Sequence, residues 1–492
     1  MVTHSPRNVA TCRVDIPAQI KSQLFTHLFP GDGDEHAAVL AASIAQNGDH
    51  VRLLVRHYMP AEDGVDYIAG VRGYRHLRGE FVHRCIVFCR EQNLVYLAVH
   101  NHGGSIRVGF SRVDLESHER GYPALLDLTQ GFPVGALVFA TRAAAGDIWW
   151  TATYRTPVKE VRVIGHAIDR LTPAPGNEGY PGGADTYDRQ ILMFGTHGQN
   201  QLMHTTVGVI GAGGAGSLII EYLARLGVGH IIVADPDRLE ASNLSRVVGS
   251  RQRDARLRKP KVEIAERLAR GANPRVDFLG LPESFVHDAV AQHFRHCDFL
   301  FLAADTASAR LVFNALVQQY YVPGIQVGAK VHAENNSGEL LDVFSVMRWV
   351  LPGSGCLWCG GLISPHRLAW EAKTDAERES QRYGTESADP SVITLNAIAA
   401  AHAVNEFLFA ILGLRATPDT SVGGYMWHHL SQRATVDGVT AAPDCTECSA
   451  EAASRFGRGD GFPLPTERSD VGEKRALDVD QTPPKEAVDE SV

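Results

Sequence analysis

Two histidines stand one residue apart in VYLAVHNHGGSIRVGFSRVD (Val95 to Asp114), at the end of an apolar run. On an extended segment His100 and His102 point to the same side, so both imidazoles can reach one ion. A hydrolytic zinc centre needs three protein ligands, a bound water and a base. Asp114 offers an oxygen ligand, and the Ser111 hydroxyl offers a donor to a developing oxyanion. Glu35, in GDGDEHAAVL, is the candidate base, with Glu62 a second choice. The plainer alternative is a pair of surface polar residues beside a turn, in a chain with 22 histidines.

The spacing separates these readings. Eight residues lie between His102 and Ser111, and two between Ser111 and Asp114. With the upstream glutamate, residues 24 to 166 resemble the JAMM (JAB/MPN) metalloprotease family. The resemblance implies His100, His102 and Asp114 as zinc ligands, Glu35 as general base and Ser111 as oxyanion donor. It also implies cleavage of ubiquitin-like proteins from lysines, or trimming of their C-termini. Gly103 stands where that family usually has proline, which loosens the loop but removes no ligand.

A second chemistry lies in VGVIGAGGAGS. Gly211, Gly213 and Gly216 form a G-x-G-x-x-G turn between a strand and a helix. Such a turn lets backbone approach a pyrophosphate at the positive end of the helix. Asp235 closes the next strand, as a ribose contact would. Alone, this is the pattern of an NAD enzyme. The surrounding motifs YDRQILMFG, ADPDRLEASNLSR, KPKVEIAERLA and LAADTASAR argue otherwise. Together, from Tyr187 to Cys448, they resemble the adenylating domain of ubiquitin-activating enzymes and their bacterial relatives ThiF and MoeB. The resemblance implies that Asp235 holds the ribose of ATP, that Asn243, Arg246 and Lys261 contact its phosphates, and that Asp305 binds Mg2+. It implies that Arg189 reaches across a homodimer interface to the other subunit's ATP. Val247 replaces the family's glutamine after Arg246, with little consequence expected.

The eight cysteines sharpen this reading. Cys356/Cys359 and Cys445/Cys448 are two C-x-x-C pairs, suited to one structural Zn2+ held by four thiolates. Activating enzymes that form a thioester carry a nucleophilic cysteine in the crossover segment. Here that segment, Ser364 to Asn396, contains none. Cys297 reads as core packing, and Cys85 and Cys89 as part of the N-terminal domain.

These residues need elements to position them. The 492-residue chain predicts more than one domain. VRLLVRH, RCIVFC and VYLAV read as strands, and EHAAVLAASIAQ as a helix. From Tyr187, strands such as TVGVIG, HIIVAD, CDFLFLAAD and PGIQVGAK alternate with helices such as AGSLIIEYLARLG, the mark of a mainly parallel sheet. The expected fold is α/β: an α-β-α JAB/MPN domain, then a Rossmann-like ThiF-type domain. The expected boundaries are an extension at 1–23, domains at 24–170 and 187–448, a linker at 171–186 and a disordered tail at 449–492. A net charge of −9 argues against nucleic acid as a partner. No secretory leader and no membrane-length apolar run are evident, so a cytoplasmic protein is expected.

Both halves would act on one flexible peptide terminus, which gives the fusion a physical reason. The expectation is ATP-dependent adenylation of a ubiquitin-like protein, plus zinc-dependent isopeptidase or C-terminal processing, in a bacterial conjugation pathway. The acceptor would be a conjugating enzyme or a sulfur-transfer protein. The first alternative is sulfur-carrier activation of the thiamin, molybdopterin or cysteine type, with a carrier-releasing peptidase. A non-catalytic scaffold and an NAD-dependent oxidoreductase are further alternatives.

Overall fold

The structure is a computed structural model and describes residues 9–68, 75–176, 186–334, 339–373, 390–415, 423–451 and 453–468. The N-terminal half contains β1 (Thr11–Pro17), α1 (Ala18–Leu28), β2 (Ala37–Asn47), β3 (His50–Pro60), β4 (Tyr67–Ile68), β5 (His76–Leu77), α2 (Gly79–Glu91), β6 (Val95–Asn101), α3 (Arg112–Leu128), β7 (Val134–Ala140), β8 (Ala143–Thr151), β9 (Tyr154–Ile164) and β10 (Ile168–Leu171). Its main sheet runs β1-β3-β2-β6-β7-β8-β9-β10. β1 pairs with both β3 and β9, so the sheet closes on itself.

Two segments differ from expectation. EHAAVLAASIAQ is not a helix; its apolar run is the central strand β2. Ala38, Leu40 and Ala42 enter one core and Ala37, Val39 and Ala41 another. A strand buried on both faces shows no alternation, which hid the period of two. RCIVFC is not a strand but lies in α2, where Phe81, Cys85, Ile86 and Cys89 form a buried stripe at helical spacing.

The second half contains α4 (Asp188–Met203), β11 (Thr206–Ile210), α5 (Gly214–Leu226), β12 (His230–Ala234), α6 (Gln252–Arg256), α7 (Lys261–Ala272), β13 (Asp277–Leu281), α8 (Asp288–Ala291), β14 (Phe299–Leu302), α9 (Ala307–Tyr320), β15 (Gly324–Ala333), β16 (Leu340–Val350), α10 (Pro365–Glu371), α11 (Ile393–Ile411), β17 (Gly424–His428) and β18 (Arg433–Asp437). Its sheet runs β13-β12-β11-β14-β15-β16-β17-β18. The strands from β13 to β15 are parallel, and β16, β17 and β18 follow antiparallel. This is a Rossmann-like α/β sheet. The chain leaves β11 toward β12 and later returns to its other side as β14. That makes a switch point, where ligands bind beyond the carboxyl ends of the strands. α11 has the length and apolar composition to cross a membrane. However, Ala399, Ala403, Val404 and Phe407 are buried in the second half's core.

The halves share an interior. Ala45, Leu54, Ile164 and Ile168 of the first sheet join the core of the second. Beside them Arg52 donates to Asp15 at 2.8 Å and to the Tyr320 carbonyl at 2.5 Å, and Arg162 pairs with Asp298. On the first sheet this junction meets β2 at Ala45, eight residues, or about 26 Å, from Ala37. On the second it meets the starts of β11 and β14.

Three boundaries shift. The N-terminal sheet begins at Thr11, upstream of residue 24, because β1 fills the gap between β3 and β9. The 171–186 segment starts packed: Thr172 and Pro173 accept bonds from Ala144 and Val108, and residues 177–185 lie outside the described residues. The tail is not disordered from 449. Ser454, Arg455 and Phe456 are buried, because they fill the seam between the halves. Residues 469–492 lie outside the described residues.

Candidate functional site

Strand β6 delivers the histidines. His100 pairs with Ala37 of β2 and Val138 of β7, and the His102 amide donates to Phe139 at 2.9 Å. The two Nε2 atoms come within 3.1 Å. His102 Nδ1–H donates to the Gly109 carbonyl at 3.1 Å, so Nε2 is the nitrogen that would ligate a metal once it gives up its proton. Asp114 Oδ2 stands 3.6 Å from His100 and 3.4 Å from His102. Donor atoms of these three residues lie within 4.8 Å of one another.

Ser111 and Asp114 are joined by a capping box at the start of α3. The Ser111 amide donates to Asp114 Oδ2 at 2.7 Å, and the Asp114 amide to Ser111 Oγ at 3.2 Å. The box fixes the carboxylate and leaves the exposed serine its own hydroxyl proton. Burial opposes ionisation of Asp114, but the neighbouring His100 and His102 imidazoles and the Ser111 amide outweigh it and hold the carboxyl well below its usual range. The hydrogen bond to Asp114 in turn raises His102.

Glu35 lies in the loop before β2, with Oε1 3.7 Å from His102 Nε2. Burial raises its carboxyl, against the pull of His100 and His102, which suits a proton acceptor. Glu62 sits exposed in the turn after β3, where its carbonyl accepts from Val65 and Asp66.

Sequence reasoning missed Asn101, between the two histidines. It points to the other side of β6, is buried, and accepts the His36 amide at 2.6 Å, pinning the loop that carries Glu35. A polar residue inside an apolar strand was the available signal.

The nucleotide turn follows β11. Gly211 has φ +97°, and a Cβ there would meet the Ala303 carbonyl at 3.0 Å. A Cβ on Gly216 would lie 1.9 Å from the Gly211 carbonyl, whereas one on Gly213 would meet nothing within 4 Å. Asp235 at the end of β12 is buried and accepts the Ala212 amide at 2.6 Å, which ties the turn to the next strand. Burial raises its carboxyl against the charge of Lys261. Lys261 Nζ is 2.6 Å from Asp237. Asn243 accepts the Glu240 amide at 3.1 Å, and Arg246 donates to the Ser242 carbonyl at 3.0 Å. Atoms of Arg246 and Asn396 lie 3.4 Å and 2.3 Å from where a Gly214 Cβ would be, beside the positive end of α5. Asp305 stands exposed just past β14, next to Ala304, whose amide lies against Gly211.

Arg189 is not brought to this turn. It is exposed on α4, whose neighbouring Tyr187 packs at Gly227, the opposite end of α5 and about 20 Å away. Leu192 and Met193 beside it are 81% and 60% exposed.

The four cysteines do converge. Sγ separations are 3.7 Å for Cys356–Cys359, 3.8 Å for Cys356–Cys445 and 3.7 Å for Cys359–Cys448. Bonds of about 2.3 Å from one tetrahedral zinc would place thiolates about 3.8 Å apart, so the set fits that ion. Asn314, fully buried on α9, joins the two turns: it accepts the Leu357 amide at 3.0 Å and donates to Glu447 at 3.2 Å. Sequence reasoning missed Asn314 as well. Cys12, Cys85, Cys89 and Cys297 are buried.

Residues 187–450 match the ThiF family. Among curated relatives, the SAMP-activating enzyme E1 of Haloferax volcanii is 37% identical over 145 residues, 28% of this chain and 52% of that protein. The sulfur carrier protein ThiS adenylyltransferase of Bacillus subtilis is 31% identical over 176 residues, 35% of this chain and 49% of that one. The chain thus spans about half the length of these relatives. The crystal structure of E. coli MccB with ATP aligns at 20% identity and a TM-score of 0.42, over 55% of this chain and 76% of that one.

Proposed function

The chain belongs to the ThiF family, and from that membership we propose that its second half uses ATP to adenylate the C-terminal carboxylate of a ubiquitin-like or sulfur-carrier protein. The supporting observation is the convergence of Gly211, Asp235 and Asp305 at the carboxyl ends of three neighbouring parallel strands. Asp235 would hold the ribose. Asn243, Arg246 and Lys261 would meet the phosphates, and the α5 N-terminus would add its dipole. Asp305 would hold Mg2+, which when bound neutralises phosphate charge. The peptide carboxylate attacks the α-phosphorus and pyrophosphate departs. Arg189, outside its own pocket, would serve a second copy across an interface that covers Leu192 and Met193. The test is ATP–pyrophosphate exchange dependent on a carrier protein. Exchange that survives Asp305→Ala would overturn this site.

For the N-terminal half we propose a zinc peptidase of the JAMM type. It is supported by the three donors with Glu35 poised 3.7 Å from His102. Zinc, when bound, supplies a water acidic enough to be activated near neutral pH. Glu35 takes its proton and passes it to the leaving amine, while Ser111 donates to the developing oxyanion. Glu35→Gln should abolish cleavage of a ubiquitin-like fusion while zinc stays bound. Cleavage by that variant would sink the assignment.

The cysteines favour a second reading beside conjugation. None lies in residues 364–396, and the four outside the metal cluster are buried. The chain thus offers no thiol of its own to the adenylate. An external thiol or a sulfur-transfer protein would receive it, as sulfur-carrier activation requires. The protein species trapped by ATP and carrier would distinguish a conjugating enzyme from a sulfur donor.

A further inference from the structure

Residues 453–468 leave the second C-x-x-C turn and run onto the N-terminal half. They begin anchored to the thiolates. The Arg455 amide donates to Thr446, between Cys445 and Cys448, at 2.8 Å. The Arg455 guanidinium, buried, reaches Glu447 at 3.1 Å, and it also donates to Gln319 at 2.7 Å and to the Pro463 carbonyl at 2.8 Å. Glu447 is in turn held by Asn314, which also secures the Cys356–Cys359 turn. All three groups are shielded from water, so each depends on the others for its partners.

The next residues meet the first sheet. Phe456 packs against Tyr321 with ring centroids 5.1 Å apart and the rings tilted, and its carbonyl accepts from Arg56 of β3 at 2.9 Å. Ser43 of β2 donates to the Gly457 carbonyl. Gly459, at φ +52°, lies so close that a Cβ would be 2.3 Å from the Ile44 carbonyl. Asp460 accepts the Gln46 amide at 2.7 Å and pairs with Arg295 of the second half at 3.0 Å. A series of bonds therefore runs from Thr446 and Glu447, between the cysteines, to the end of β2; its links at Arg455, Arg56 and Ser43 are buried, and its last, Asp460 with Gln46, is exposed.

We propose that metal at the four-thiolate centre fastens the N-terminal half to the ThiF half through residues 454–460, so that metal loading sets how firmly the two are docked. The inference rests on the four thiolates holding a metal, and not on either proposed reaction. Without metal, the Cys445–Cys448 turn loses its tie to Cys356 and Cys359 and keeps the bonds of Asn314 and Arg455, so Glu447 is held less firmly and the strap on β2 loosens with it. The direct contacts of Arg52 and Arg162 persist, so the seam loosens at the strap first.

Hydrogen exchange read by mass spectrometry tests this on the full chain, in a His102→Ala background that leaves the thiolates as the one intended zinc site. Chelation should raise exchange at least tenfold in residues 43–47 and 454–462, while β11 at 206–210 stays protected. Arg455→Ala, with zinc content verified, should reproduce the change with metal still bound. Unaltered protection at 43–47 in the stripped protein would overturn the inference. If chelation unfolds the whole chain, the zinc-loaded Arg455→Ala protein decides: unchanged exchange there also overturns it. No activity is read, so failure of either proposed reaction would register separately.

Discussion

Asn101 accepts the His36 amide at 2.6 Å and returns its own amide to the His36 carbonyl at 3.3 Å. The residue between the two candidate ligands thus positions Glu35 from the opposite face of the strand. Asn101→Ala should leave zinc stoichiometry intact and lower cleavage of a ubiquitin-like fusion by about 10–100-fold, the usual range for outer partners of a metal site. Metal analysis beside a cleavage assay checks this. Loss of zinc in step with activity would make Asn101 a support for the histidines instead.

The glycine turn gives a contrast between two alanines. Gly216→Ala forces a Cβ onto the Gly211 carbonyl and should cost about 1–3 kcal/mol of stability, since helix and turn must separate. Gly213→Ala meets open space, so the fold should keep its melting temperature while ATP affinity falls. Calorimetry and nucleotide titration on both variants test the pair. A Gly213→Ala protein with native ATP affinity would place the phosphates elsewhere.

Arg189 predicts a mixing experiment. Arg189→Ala and Asp305→Ala should each be inactive in pyrophosphate exchange. Co-refolded in equal amounts, they should recover about a quarter of wild-type activity, because half the dimers carry one complete site of two. No recovery would mean that Arg189 does not act across subunits.

The seam between the halves predicts an acid limit. Burial alone would raise the Asp15 carboxyl, but Arg13, Arg52 and Arg162 bring it down to about 2. The depressed value means that its contribution is complete above the unfolded pKa of about 4 and disappears as pH falls toward 2. It amounts to about 2–3 kcal/mol. Asp298, held low by Arg162 and Arg13 against burial, adds in the same direction. Urea unfolding at pH 5 and pH 2.5 measures the loss. Asp15→Asn should flatten the slope and cost about 3–5 kcal/mol at pH 5, because buried arginines lose their partner.

What the sequence revealed depended on how local the physics was. Gly211, Gly213 and Gly216 sit in a strand–turn–helix unit whose pattern lies within a dozen residues, and β11 and α5 follow it. The four cysteines were legible because their chemistry admits few other uses at that spacing. β2 was misread because tertiary burial of both faces erased its alternation. The segment after Cys448 was misread because its polar composition conceals residues that bond to both halves: Arg455 finds Glu447 of the second half, and Asp460 finds Gln46 of the first. Asn101 and Asn314 carry no motif of their own. Their roles exist only once the loop of Glu35 and the two C-x-x-C turns are folded against them.

The histidine pair and the glycine turn each stand at the strand end remote from the shared seam. If the two proposed reactions hold, a peptide end freed at one site would have no direct path within a single chain to the other. It would travel through solvent around the body of the molecule. The two chemistries would then be matched by how often carrier molecules revisit the same particle, and crowding or clustering of that particle would tune their joint output.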